Sequence, residues 1–88
     1  MVCVVFSSSV CPQCDVLKRY LTDHDINHSV RMVEESEARV DALMLNIYST
    51  PAIVIGDKVL HQTEMFANDQ LDETAILTFL RSNEHGKT

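Results

Sequence analysis

Cys11 and Cys14 stand three residues apart around Pro12 in the stretch "SSSVCPQCDVLKRY", residues 7–20. Two thiols at that spacing can open and close a disulfide, supply two thiolates to a metal or iron–sulfur site, or be incidental small residues. The chain holds three cysteines in 88 residues, an odd number, whereas secreted disulfide scaffolds carry even sets. In a reducing compartment a close pair is more often catalytic or metal-binding than structural. As a staple it would do little, because so short a loop hardly constrains the unfolded chain.

Helical phase makes the two sulfurs unequal. Cys14, Leu17 and Leu21 fall at i, i+3 and i+7, with Val16 and Tyr20 alongside, so they share one face; Cys11, Asp15, Lys18, Arg19 and Thr22 lie opposite. Pro12 suits a first helical turn, where its missing N–H costs nothing. Cys11 then precedes the helix, where unpaired N–H groups and the positive end of the dipole stabilise a thiolate. This predicts Cys11 as the exposed nucleophile and Cys14 as the inward, resolving thiol. Side chains three apart on a helix have Cβ atoms roughly 5–6 Å apart and a disulfide needs about 3.5–4.5 Å, so a small adjustment closes the bond and relaxation reopens it. Asp15, one turn after Cys11, would oppose a thiolate there, and Lys18 and Arg19 are placed to draw it away.

The elements that must hold these thiols can be read from periodicity. "VCVVF", residues 2–6, is apolar throughout, as in a central strand covered on both faces. Cys3 within it reads as an inert buried residue. After the first helix "TDHD" breaks the pattern, and Ile26, His28, Val30 and Met32 alternate with polar residues as a second strand. Val40, Leu43, Met44 and Ile47 follow i, i+3, i+4, i+7 as the inward face of a second helix, with Glu34, Glu35 and Glu37 near its start. A strand at Ala52–Ile55, a Gly56–Asp57 turn and a return strand at 58–61 make a hairpin. A third helix is expected from Asp69, with Ile76, Phe79 and Leu80 on one face. Met32, Met44 and Met65 read as core filler, and His24, His28 and His85 as loop, strand-surface and tail residues. The order is βαβαββα, an α/β fold whose mixed four-stranded sheet is flanked by three helices. One domain over residues 1–82 and a flexible tail at 83–88 are expected.

Composition narrows the function. A net charge of −6 and a pI near 4.9 leave a field that repels nucleic acid and anionic membrane surfaces, and neither is an expected partner. The apolar run at the N-terminus is too short for a signal segment or a membrane span, so a cytoplasmic protein is expected. Thr50–Pro51, immediately before the buried strand, is a candidate cis step whose preceding residue can offer its backbone to an extended peptide.

With "CPQC" ending a strand and opening the helix "DVLKRYL", Ser49-Thr50-Pro51 ahead of "AIVI", and the "GDKVL" hairpin, nearly the whole chain resembles the thioredoxin superfamily and its small glutaredoxin-like members. The resemblance implies a thioredoxin fold, a redox-active Cys11–Cys14 disulfide with Cys11 as attacking thiolate, and a cis Pro51 in a substrate groove bordered by Pro12, Gln13 and Thr50. Glutaredoxins that use glutathione usually carry a lysine a few residues before the first cysteine, an aromatic residue before the second, and Gly-Gly followed by an acid after the hairpin. Here those places hold Ser8, Gln13 and His61-Gln62 with Glu64. The chain therefore looks more like NrdH-type redoxins, which draw electrons from a thioredoxin reductase rather than glutathione and supply ribonucleotide reductase.

The function expected is a monomeric protein-disulfide reductase without cofactor or metal, its partners a disulfide-containing substrate and a thioredoxin-reductase-like or other electron donor. The alternative is an iron–sulfur or metal-binding protein using Cys11 and Cys14, in a dimer if four cysteines are needed.

Overall fold

The computed structural model describes residues 3–84; Val2 of the first strand and His85 of the tail lie outside the described residues. Five residues, Cys3–Ser7, form β1, and α1 follows over Pro12–Asp23. Next come β2 (Ser29–Met32), α2 (Ser36–Met44), β3 (Ala52–Ile55) and β4 (Lys58–Leu60). A single helical turn, α3 (Gln62–Met65), and a two-residue hairpin, β5 (Phe66–Ala67) with β6 (Gln70–Leu71), lead into α4 (Glu73–Glu84).

The main sheet has the order β2-β1-β3-β4. β1 runs parallel to β2 and antiparallel to β3, and β3 turns back on β4 through Gly56, whose φ of 62° is one that a residue without Cβ adopts at no steric cost. This is the mixed four-stranded sheet expected, with β1 in its interior.

Strand alternation divides the core in two. Cys3 and Val5 of β1 and Ile53 and Ile55 of β3 face Leu17, Tyr20 and Leu21 of α1 and Ile76 and Leu80 of α4. Phe6, Ala52 and Val54 face the other way, onto Ala38 and Ala42 of α2 and Ile47. Each fully buried leucine or isoleucine here contributes about 1.5–3 kcal/mol. β1 therefore carries apolar residues from Cys3 to Phe6 because helices cover both of its faces.

Several elements differ from expectation, β2 first among them, since it starts at Ser29 and leaves Ile26 and His28 outside the strand. α2 buries Ala38 and Ala42, one turn apart, and turns Val40, Leu43 and Met44 outward, Met44 to 79% exposure, so Met44 is not core filler. Small side chains let this helix lie close to the sheet. α4 begins at Glu73 rather than Asp69, because Asn68 and Asp69 both take φ above 50°, the paired positive values of a type I′ hairpin turn. Asp72 receives the Ala75 N–H at 3.1 Å in its place. α3 and the β5–β6 hairpin carry no periodic signal and were not expected. Val16, read alongside the buried face of α1, is exposed.

The expected tail begins at Asn83, but α4 continues through that residue, whose amide donates to the Phe79 carbonyl at 2.8 Å. Residues 85–88 lie outside the described residues. Among the described residues no helix is long and apolar enough to cross a membrane.

Candidate active site

The site lies where β1 hands over to α1. Cys11 is the N-cap residue, extended at φ −154° and ψ 90°, and Pro12 opens the helix behind it. The Cys14 N–H, one of the donors a helix start leaves without an intrahelical partner, donates to Cys11 Sγ at 3.1 Å. The two sulfurs are joined, with Cα atoms 5.2 Å apart, inside the usual range for a disulfide. Cys11 is half-buried at the rim. Cys14 has 0% exposure and faces inward with Leu17 and Leu21.

Thr50 closes the site from the second half of the chain. Phe6 pairs with Ala52 across β1 and β3, and the same register carried two residues further brings Ser8 opposite Thr50. Their hydroxyls are 3.0 Å apart, and Thr50 Oγ1 can donate to Cys11 Sγ at 3.7 Å. The Thr50 carbonyl oxygen also stands 3.7 Å from that sulfur. The Thr50–Pro51 bond is cis and Pro51 is buried.

The loop between β1 and α1 is fixed by Glu34, whose carboxylate accepts the Ser9 N–H at 2.9 Å and the Ser9 hydroxyl at 2.8 Å. The backbone N–H of Ser9, above all, holds the Glu34 carboxyl below the usual glutamate range. Beside this loop a cavity of about 460 Å³ opens between α2 and the site, with Ser8, Thr50, Leu43 and Tyr48 in its wall.

On the opposite side Gln13 is held at both ends of its amide. Its Nε2 donates to Asp69 at 2.9 Å, and its Oε1 accepts from Gln62 at 2.6 Å. The middle of the CPQC turn is thereby tied to α3 and to the tip of the β5–β6 hairpin. Asp15 pairs with Lys18 at 3.7 Å, which draws its carboxylate along the helix as the spacing suggested. Glu64 accepts the His61 N–H at 2.8 Å and so caps α3.

Cys11, Cys14, Thr50 and Pro51 thus meet at one end of the sheet, with Pro12 and Gln13 on the adjoining turn. Sequence reasoning did not find Asp69 and Gln62, since nothing before folding announces the hairpin that carries Asp69. Cys3 is elsewhere, 2% exposed inside β1, and burial pushes its thiol up to about 11.

The glutaredoxin family model matches residues 3–60. Among solved structures, a mutant of the thioredoxin-like protein BC3987 is similar over 89% of this chain and 97% of its own, at 22% identity and a TM-score of 0.71. BC3987 itself is similar over 89% of this chain and 99% of its own, at 21% identity and a TM-score of 0.67. No curated protein matches the chain in sequence. The matched segment carries β1, the CPQC turn, Thr50–Pro51 and the β3–β4 hairpin, and on it the chain belongs to the glutaredoxin family.

Proposed function

We propose that the protein reduces disulfides of other proteins through the Cys11–Cys14 pair. The observation that carries this reading is the asymmetry of the pair: Cys11 at a helix N-cap on the rim, Cys14 buried one turn inside and within bonding distance. The reduced Cys11 thiolate attacks one sulfur of the substrate, the substrate S–S bond breaks, and its other sulfur leaves as a thiolate that takes a proton from water. Cys14, once deprotonated, attacks Cys11 Sγ in the mixed disulfide. The second substrate thiolate departs and the pair is left oxidised, the state in the structure.

Within the family, a thioredoxin-reductase-like donor suits this rim better than glutathione, and ribonucleotide reductase is the acceptor that an NrdH-type redoxin would serve. In support, Ser8 stands in place of a lysine and bonds Thr50, while Glu64 spends its carboxylate on the His61 N–H.

Insulin reduction tests the mechanism. Cys11→Ser should abolish it, and Cys14→Ser should accumulate a covalent complex with substrate. Full activity in Cys11→Ser would sink the proposal. Efficient turnover of a glutathione mixed disulfide with glutathione alone would overturn the choice of donor.

A further inference from the structure

A second groove, of about 590 Å³, runs along the outer side of α1 against the β5–β6 hairpin and the start of α4. Its wall carries four carboxylates, Asp15, Asp23, Asp69 and Glu73, against the single guanidinium of Arg19. Of the four, only Asp15 has an ion-pair partner among the described residues. Two segments distant in sequence, α1 and residues 69–73, thus bring negative charge to one concavity of a chain whose net charge is already −6.

Tyr20 is the independent sign that something binds there. It lines the groove, it is 7% exposed, and its hydroxyl is buried without a hydrogen-bond partner among the described residues. Burial first, and then the charge of Glu73, which lines the same groove, raise its pKa. The phenolic oxygen can accept from a cationic N–H that enters among these carboxylates. Among the described residues no three His, Cys, Asp or Glu side chains gather closely enough to hold a metal ion, so the chemistry favours an ammonium or guanidinium group.

The groove is continuous with the redox pair. Asp69, on its rim, accepts from the Gln13 amide inside the CPQC turn, and Asp15 follows Cys14 directly. At about 1.5 Å rise per residue the carboxylate-bearing positions of α1 extend from roughly 6 Å to 18 Å beyond Cys11. An extended peptide covers about 3.3 Å per residue, so a basic residue two to four positions from a reacting cysteine reaches the near half of this range.

Resting on the oxidoreductase reading above, we propose that the groove docks a basic segment of the protein that exchanges disulfides with Cys11: an arginine or lysine near that protein's cysteine enters between Asp69 and Glu73 and meets the Tyr20 hydroxyl. The groove then selects among disulfides that the thiols alone would treat alike, and its field speeds encounter with basic partners.

Three peptides test it, identical but for arginine, glutamine or glutamate at the third position on either side of a single cysteine, each oxidised to its symmetric disulfide dimer. The reduced protein is mixed with each, quenched in acid, and the released thiol quantified by chromatography. At low salt the arginine peptide should react about tenfold faster than the glutamine peptide and the glutamate peptide slower than either, with most of the difference lost at roughly 0.3 M salt. Asp23→Asn with Glu73→Gln should remove most of the arginine advantage, Arg19→Gln should enlarge it, and both should reduce the glutamine peptide at the wild-type rate. Equal rates for the arginine and glutamate peptides, or an arginine advantage that survives in the double variant, would overturn the proposal. Failure to reduce any of the three would refute the oxidoreductase reading itself, and the docking with it.

Discussion

Removal of the Thr50 hydroxyl isolates one contact of the site. Thr50→Val keeps the volume and the branched Cβ of a half-buried residue and deletes only Oγ1, which lies 3.7 Å from Cys11 Sγ and 3.0 Å from the Ser8 hydroxyl. With Thr50 donating to the sulfur, Ser8 can donate to Thr50, so two hydroxyls in series face the charge that forms on reduction. A hydrogen bond to an ionised group contributes roughly 1.5–3 kcal/mol when short and buried. At this length and exposure about 1 kcal/mol is reasonable, which raises the midpoint of Cys11 ionisation by about 0.7 pH units. Well below the midpoint that leaves about fivefold less thiolate. Intrinsic nucleophilicity rises with basicity at a slope of roughly 0.4–0.5, so the net fall in rate is about twofold. The assay is iodoacetamide alkylation against pH in a Cys14→Ser background, where Cys3 is shielded by burial. Ser8→Ala should move the midpoint in the same direction by less, since Thr50 keeps its own donor. An unmoved midpoint in Thr50→Val, or a larger shift from Ser8→Ala, would refute the series of hydroxyls.

Burial of Cys3 makes stability depend on alkaline pH. An unfolded thiol ionises near pH ~8.5, whereas the folded Cys3 holds its proton to about 11, so its contribution is complete below the lower value and is lost at about 1.4 kcal/mol per pH unit between them. The difference between denaturant melts of wild type and Cys3→Ala should show this slope, since the raised Tyr20 phenol is common to both; parallel curves would show the thiol to be insensitive to folding. Leu21→Ala, at a fully buried α1 position, should lower unfolding free energy by about 3 kcal/mol, and a loss below roughly 1 kcal/mol would mean that α1 does not pack as described. Gly56→Ala meets no atom within 4 Å of the added Cβ, so its cost is that of a positive φ, about 1–2 kcal/mol, read from the same melts; a neutral result would show that the turn relaxes to negative φ.

β1 and β3 were legible because both faces of each are apolar: Cys3 and Val5 on one side against Val4 and Phe6 on the other, Ile53 and Ile55 against Ala52 and Val54. α2 was not, because its largest apolar side chains point away from the sheet. Ala38 and Ala42 each stand two residues from Val40, about 200° around the helix, so the sheet-facing side is the one that carries little apolar area per residue. Hydropathy counted by residue size cannot see a helix held close by alanines. The start of α4 failed for a different reason. Asp69 and Asp72 are equally good caps in sequence, and only the φ of 64° at Asp69 removes it, since a cap residue needs extended backbone.

The candidate site divides along the same line. Cys11 and Cys14 follow from local phase, and the Ser8–Thr50 contact follows from the β1–β3 register, so both could be inferred once the strands were placed. The ties of Gln13 depend on a four-residue helix and a hairpin of two-residue strands, which have no period to detect. Yet positions that depart from the pattern of glutathione-using glutaredoxins carry contacts of their own: Ser8 bonds Thr50, and Gln13 bridges Asp69 and Gln62. The ties of Gln13 fix the CPQC turn beside the acidic groove along α1, where, on the docking proposed above, a basic segment of a larger partner would meet it.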